Sequence, residues 1–293
     1  MRWHPEHVVD EDEARTLLRD AGFPHARVEP FGAGWDNTAY LVDDTWVFRF
    51  PRREVAVACL RQECRHLPRL VSRLPIPVPH PVHIAAPEGN WPFAGYRRIE
   101  GTAAHAANPS PDQRAAHARR LGAFLRALHA LEPEDAISDE IGRTDVPRRK
   151  ARAREDLAHV ESLGCQIDGR ALSSILDAVP DDLEVRSDTL VHGDLSARHL
   201  LVDGHDVTGV IDWGDIHRGD PAIDLAIAWT YPPRPDDLLD TYGTIDTRTR
   251  AMAMLRAIQS ELVLVRFAID QGDTDLERES CAALRRVVAA EDR

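Results

Sequence analysis

The sequence has few cysteines, a deficit of positive charge and no long apolar run, and each shortage narrows what the protein can be. Four cysteines, Cys59, Cys64, Cys165 and Cys281, stand without the close spacing of a metal-binding set. They are expected to be reduced, structural thiols in a cytoplasmic protein. No apolar stretch approaches the length of a membrane span, so no membrane partner is expected. The opening residues, MRWHPEHVVDEDE, lack a basic head followed by an apolar segment, so a signal peptide is not expected either. Lysine and arginine total 36 against 49 aspartates and glutamates, a net charge of −13. That balance argues against nucleic acid as a partner, because binding a phosphate backbone takes a basic surface. It is compatible with a cationic substrate, but charge carried only for solubility is the simpler reading. Long repeats and low-complexity segments are also missing.

What is present has the composition of a soluble globular chain: 293 residues, 43% hydrophobic and 29% charged. That length suffices for one large or two modest domains with real cores. Asp10 and Glu13 have capping-box spacing and open a short helix that Gly22 ends. From Arg27 to Phe50 the pattern becomes strand-like. Trp46, Phe48 and Phe50 alternate with Val47 and Arg49, which puts Arg49 on the face opposite the aromatic set. Asp43-Asp44 reads as the hairpin turn. A helix is expected over roughly 53–74, bent or divided by Pro68. The proline-rich run from Leu74 to Pro81 is expected to be an extended connector, and strands are expected after it at 82–84 and 93–99. After Glu100-Gly101-Thr102 helix dominates. Ser110 and Gln113 bracket a capped helix start, and Leu121, Phe124, Leu125 and Leu128 give that helix an apolar stripe. Leu255, Ile258, Leu262, Val265 and Ile269 mark a second core-facing helix, and Thr274 with Glu277 is expected to cap the last one.

The chemistry concentrates in VHGDLSARHLLVDGHDVTGVIDWGD, residues 191–215. Two acidic clusters, His192-Gly193-Asp194 and Ile211-Asp212-Trp213-Gly214, flank a short turn between strand-like runs. Phosphoryl transfer from a nucleotide uses two carboxylates, one to take the proton of the attacking hydroxyl and one to hold magnesium on the phosphates. The order matches the kinase pattern H-R-D-L-x-x-x-N followed by D-F-G, with His199 where Asn is usual. Asp194 is therefore expected to be the catalytic base and Asp212 a magnesium ligand. In GDPAIDLA, Asp220 is expected to accept backbone hydrogen bonds around the catalytic loop and Asp224 to start the following helix. Gly32, Gly34 and Asn37 lie in a glycine-containing loop ahead of the strand that carries Arg49. That loop is a candidate cover for nucleotide phosphates, Arg49 the cation that grips them, and Glu63 its orienting partner.

Together the motifs GAGWDNTAYLV, WVFRFPRR, FAGYRRIEG, HGDLSARHLLV, VIDWGD and GDPAIDLA resemble the aminoglycoside phosphotransferase family of antibiotic kinases, over nearly the whole chain. The resemblance implies an α+β, bilobal, protein-kinase-like fold. It places a small β-rich N-terminal lobe at 1–99 and a hinge at about 96–101. A larger helical lobe at 102–293 would carry the catalytic loop and substrate site. FAGYRRIEG resembles the hinge of the 2''-aminoglycoside kinases, which implies that backbone groups of Arg97 and Ile99 hold a purine. HGDLSARH, ending in His199, and the Arg at 49 are more similar to macrolide kinases. His199 would bind metal, act through a water, or hold the loop of Asp194. The implied donors are Mg-ATP or Mg-GTP, and the implied acceptor is a hydroxyl of a small molecule. An aminoglycoside is expected first, met by carboxylates such as Asp236, Glu261 and Asp270. A macrolide, a metabolite and a nucleotide-binding pseudokinase role are the alternatives.

Overall fold

The computed structural model describes residues 4–86, 91–139 and 141–291. By its internal contacts the chain divides into two compact units. The first comprises Met1–Arg73, Pro77–Glu100 and Asp212–Ile216, and the second Leu74–Ile76, Gly101–Ile211 and His217–Arg293.

In the first unit, helix α1 (Glu11–Asp20) starts at Asp10, whose carboxylate accepts the Glu13 N–H at 2.9 Å. Strands β1 (Val28–Ala33), β2 (Asn37–Val42), β3 (Trp46–Pro51), β4 (Pro81–Ala85) and β5 (Phe93–Arg97) form one antiparallel sheet in the order β1-β2-β3-β5-β4. The β2–β3 turn is Asp43-Asp44, both in left-handed backbone conformation, as an aspartate tolerates and a tight hairpin requires. Phe48 and Phe50 point to a core shared with Tyr40, Val42, Phe93 and Leu18, leaving Arg49 on the opposite face of β3. Gly95 of β5 sits under Phe48, where an added Cβ would fall 2.5 Å from the ring.

Helix α2 (Glu54–Leu70) follows β3 after Arg52 and Arg53. Pro68 does not divide it. The proline stands in the last turn, so only one hydrogen bond is lost, and the Val71 N–H still reaches the Leu67 carbonyl at 3.2 Å.

The second unit is mostly helical. Strand β6 (Thr102–Ala103) leads to helices α3 (Ala104–Ala107), α4 (Pro111–His129), α5 (Val146–Ser162) and α6 (Gly169–Ala178). Strands β7 (Thr189–Val191), β8 (Leu200–Asp203), β9 (Asp206–Val210) and β10 (His217–Gly219) come next, then helices α7 (Ala222–Leu225), α8 (Ile227–Thr230), α9 (Asp236–Tyr242), α10 (Thr247–Gln271) and α11 (Thr274–Glu291). Helix α4 has a complete capping box between Ser110 and Gln113 and buries Leu121, Phe124, Leu125 and Leu128 fully. Helix α10 buries Leu255, Ile258, Leu262 and Val265 against α5, α7 and α11. The cap of α11 is Asp273, which accepts the Leu276 N–H at 3.0 Å, and Thr274 is the first helical residue. No helix among the described residues is long and apolar enough to cross a membrane.

Candidate active site

Asp194 follows the buried strand β7, which pairs with β10 and anchors the start of its loop. Gly193 turns the chain with φ 89°, a conformation that costs glycine little. The amides of His192 and Gly193 donate to the two carboxylate oxygens of Asp224, at 2.7 and 2.9 Å. Asp224 is fully buried on α7. Burial works against its charge, but the hydrogen bond from His129 and the neighbouring donors hold its pKa below the usual range. The sequence reading assigned this loop-holding role to Asp220. The structure gives it to Asp224. Asp220 instead accepts the Arg186 and Ala222 amides at 3.0 Å and pairs with the Arg248 guanidinium.

His192 ties the loop together. Its ring is buried, and burial lowers its pKa, so the imidazole is neutral. Nε2–H donates to the Ile211 carbonyl at 3.0 Å, and Nδ1 accepts the Asp194 N–H at 3.3 Å. The Ile211 N–H in turn donates to the His199 carbonyl at 2.9 Å. The residue immediately preceding Asp212 is thus held through both of its backbone groups. With its backbone secured in this way, Asp194 presents a carboxylate whose side chain is 46% exposed.

His199 ends a short 3-10 turn, Ala197–His199. Its Nδ1–H donates to the Asp194 carbonyl at 2.7 Å, which assigns the remaining lone pair to Nε2. Nδ1 also lies 3.7 Å from Asp194 Oδ2.

In the first unit, Arg49 joins two acids. Its Nη1 donates to both oxygens of Glu63, at 2.8 and 2.9 Å, and its Nη2 to Asp212 Oδ1 at 2.7 Å. Glu63 is only 1% exposed. Burial of Arg49 would lower its pKa, but Glu63 and Asp212 raise it beyond its ordinary value, so the guanidinium is permanently charged. Burial dominates at Glu63 and raises its pKa, with Arg49 opposing. Asp212 has φ 65°, left-handed for a residue with a side chain, and such strain marks functional turns. As a half-exposed hard oxygen donor it fits magnesium, whereas imidazole at His199 is a softer ligand. Among the described residues no three His, Cys, Asp or Glu side chains form a metal-holding group by themselves. Nucleotide-bound magnesium takes one or two protein carboxylates and fills its shell with phosphate and water.

The glycine loop is a tight β1–β2 connection. Gly32 lies in β1 at a bulge, the Gly34 N–H donates to the Asn37 carbonyl at 2.9 Å, and Asn37 opens β2. Arg52 donates to the Gly34 carbonyl at 2.8 Å and Arg53 pairs with Asp36, so the loop is pinned to the end of β3. Arg97 closes β5 with its guanidinium 5.1 Å from the centre of the Trp46 ring, and Ile99 lies half-buried beyond the strand. The three acids named for a polycation do not gather. Asp236 is exposed on α9, Asp270 is exposed near the end of α10, and Glu261 is buried in the middle of α10. Burial pushes the Glu261 pKa up to about 8, against the pull of Ser280.

Residues 27–257 match the model of the phosphotransferase enzyme family (APH). The chain belongs to this family. The phosphotransferase is 29% identical to an aminoglycoside 3'-phosphotransferase of Streptomyces fradiae over 57% of its own length and 67% of that relative's. Two further relatives are matched over about half of their length or less. It is similar to the GDP complex of an aminoglycoside 2'-phosphotransferase-IIIa, with a TM-score of 0.69 and 23% identity over 96% of this chain and 99% of the other. A macrolide 2'-phosphotransferase from Brachybacterium faecium, without ligand, gives a TM-score of 0.61 and 24% identity over 93% and 98%. These likenesses establish the α+β fold, with a sheet-built N-terminal region and a helical C-terminal one.

The loop-holding role of His192 and Asp224 was missed in the sequence, whereas Arg49 was found there. His192 and Asp224 hold the loop that carries Asp194, yet Asp220 and Asp224 are one helical turn apart and nothing local says which faces the loop. Lysine usage was the available signal for Arg49. Lys150 is the only lysine in the chain, and its Nζ is bound to the Val179 carbonyl and Asp181, both at 2.7 Å. No lysine can therefore take the strand position that Arg49 fills.

Proposed function

We propose that this phosphotransferase moves the γ-phosphoryl group of ATP or GTP onto a hydroxyl of an aminoglycoside antibiotic. The observation that carries the reading is the Arg49 guanidinium, clamped by Glu63 and reaching Asp212, in a chain of this family. A fixed cation beside a carboxylate is the pairing that nucleotide phosphates and their metal require. Arg49 grips the phosphates, the Gly32–Gly34 turn and Asn37 border them, and the backbone at Arg97 and Ile99 takes the purine edge. Asp212 would hold magnesium, with His199 as a second candidate ligand, and the ion would supply neutralising charge to the phosphates. Asp194 orients the acceptor hydroxyl and receives its proton. The aminoglycoside named for the Streptomyces fradiae relative supports the acceptor class.

One observation favours a macrolide as the second reading. Arg256, nearly buried on α10, lies within electrostatic reach of Asp194 and Asp139 together with Arg143 and Arg149. That concentration of guanidinium groups suits an acceptor with less positive charge than an aminoglycoside.

The deciding experiment offers a panel of aminoglycosides, macrolides and hydroxylated metabolites with radiolabelled ATP and GTP in parallel. Label on an aminoglycoside, lost about 10²–10⁴-fold in rate on Asp194→Asn, is the expected result. Tight nucleotide binding with no labelled acceptor would overturn the reading and indicate a pseudokinase. Label confined to macrolides would transfer the assignment to the second reading.

A further inference from the structure

Asp224 can hold the His192 and Gly193 amides only if its carboxylate is itself fixed in the plane that faces them. The structure shows what fixes it. His129, at the end of α4, has a side chain only 6% exposed, and its Nε2 lies 3.1 Å from Asp224 Oδ2. The opposite ring nitrogen, Nδ1, lies 3.0 Å from the hydroxyl of Tyr242, the last residue of α9. The two contacts are mutually consistent for a neutral imidazole. A carboxylate oxygen accepts, so Nε2 carries the hydrogen, and Nδ1 then accepts from the tyrosine O–H. The rings meet edge to face with centroids 5.6 Å apart, so Tyr242 also packs the imidazole into one orientation.

The geometry points to Tyr242 and His129 as positioning residues for the catalytic loop, acting in series through Asp224 on the amides of His192 and Gly193. Tyr242 selects the tautomer and the ring plane of His129. His129 orients the carboxylate. The carboxylate sets the backbone of His192 and Gly193, from which Asp194 projects as the next residue. The series joins α9, α4, α7 and the loop, elements far apart in sequence, and no atom of it needs to touch nucleotide or acceptor.

This inference rests on the proposed role of Asp194, and the experiment separates the two. His129→Ala, His129→Gln, Tyr242→Phe and Asp194→Asn are compared in two assays. The first is amide hydrogen exchange of the nucleotide-free protein over residues 189–200, which does not depend on any reaction. The second is steady-state phosphorylation, resolved into kcat and nucleotide KM. His129→Ala is expected to speed exchange at His192 and Gly193 and to lower kcat, each by about tenfold, the loss that one buried hydrogen bond carries. Nucleotide KM stays unchanged. His129→Gln, whose amide nitrogen can take the place of Nε2, restores most of both. Tyr242→Phe gives a smaller change in the same direction, and it carries the test if His129→Ala does not fold. Unchanged exchange and unchanged kcat in a folded His129→Ala or Tyr242→Phe protein would overturn the inference. A wild-type rate in Asp194→Asn, with loop exchange still sensitive to His129, would instead remove the proposed role of Asp194 and leave the positioning series standing.

Discussion

Arg49 and Asp212 are joined by a hydrogen-bonded ion pair of 2.7 Å, although 163 residues separate them in the chain. The same guanidinium holds the almost fully buried Glu63. One cation therefore serves two acids of unequal burial. Removing it leaves one of them without compensation in a place that water hardly reaches.

Arg49→Met is accordingly expected to destabilise the fold by about 3–5 kcal/mol, because Glu63 becomes an unpaired buried acid. The double variant Arg49→Met with Glu63→Gln should recover most of that loss, since the pair is removed together. Urea denaturation of the three proteins checks this. Equal stability of the single and double variants would show that Glu63 does not depend on Arg49. Arg49→Lys keeps the charge but loses the rigid fork that spans Glu63 and Asp212, so nucleotide KM should rise more than stability falls.

Asp224→Asn keeps the size of the side chain and removes one acceptor. The amide NH₂ would face either the His192 or the Gly193 N–H, donor against donor. The expected cost is about 1–3 kcal/mol, together with a lower kcat and little change in nucleotide affinity. Thermal denaturation and steady-state kinetics on the same preparation check both parts. Asp220→Asn should leave the loop amides protected, because Asp220 bonds elsewhere.

Glu261 makes stability depend on pH in the direction opposite to most carboxylates. In the folded protein it ionises near pH 8, whereas its ordinary value is 4.5. Below the lower value both states are protonated and the group contributes nothing to the difference. Between the two values only the unfolded chain sheds the proton, so stability falls as pH rises, and the loss is complete near pH 8. Its size is on the order of a few kcal/mol. Glu261→Gln should abolish this slope and be more stable than wild type above neutrality. Parallel stability curves for the two proteins from pH 5 to 8 would refute the assignment.

Gly95→Ala should cost about 1–3 kcal/mol by overpacking, since the new methyl group meets the Phe48 ring at van der Waals overlap. Chemical denaturation measures it. Gly95→Ala combined with Phe48→Leu should lose less than the sum of the two single changes.

Much of the fold could be read locally. The alternation around Arg49, the Ser110 cap and the apolar stripes of α4 and α10 are patterns of period two or near four, and each depends only on neighbours in the chain. The family motifs were legible for the same reason, as HGD and IDWG are short and stand in order. What local pattern could not decide was direction. Asp220 and Asp224 share composition and setting, yet only Asp224 meets the loop. Pro68 has the same sequence signature in the middle of a helix as in its last turn. Asp273 and Thr274 are both good caps, and the chain had to be folded to show which one caps.

By itself, then, the sequence determined most of the element types and the placement of Arg49 on the face of β3 opposite the aromatic set, and it pointed to Asp194 and Asp212 as the candidate pair of aspartates. Its single lysine also left arginine as the only strong cation for that strand. Tertiary structure alone decided that Arg49 bridges Glu63 to Asp212, that Glu261 is buried with its pKa pushed up, and that Tyr242, His129 and Asp224 stand in line behind the loop of Asp194. The physical reason is range. Periodicity and capping are set within a few residues, whereas ion pairing, desolvation and hydrogen-bond partnership depend on which distant side chains the packed helices and strands bring within about 3 Å.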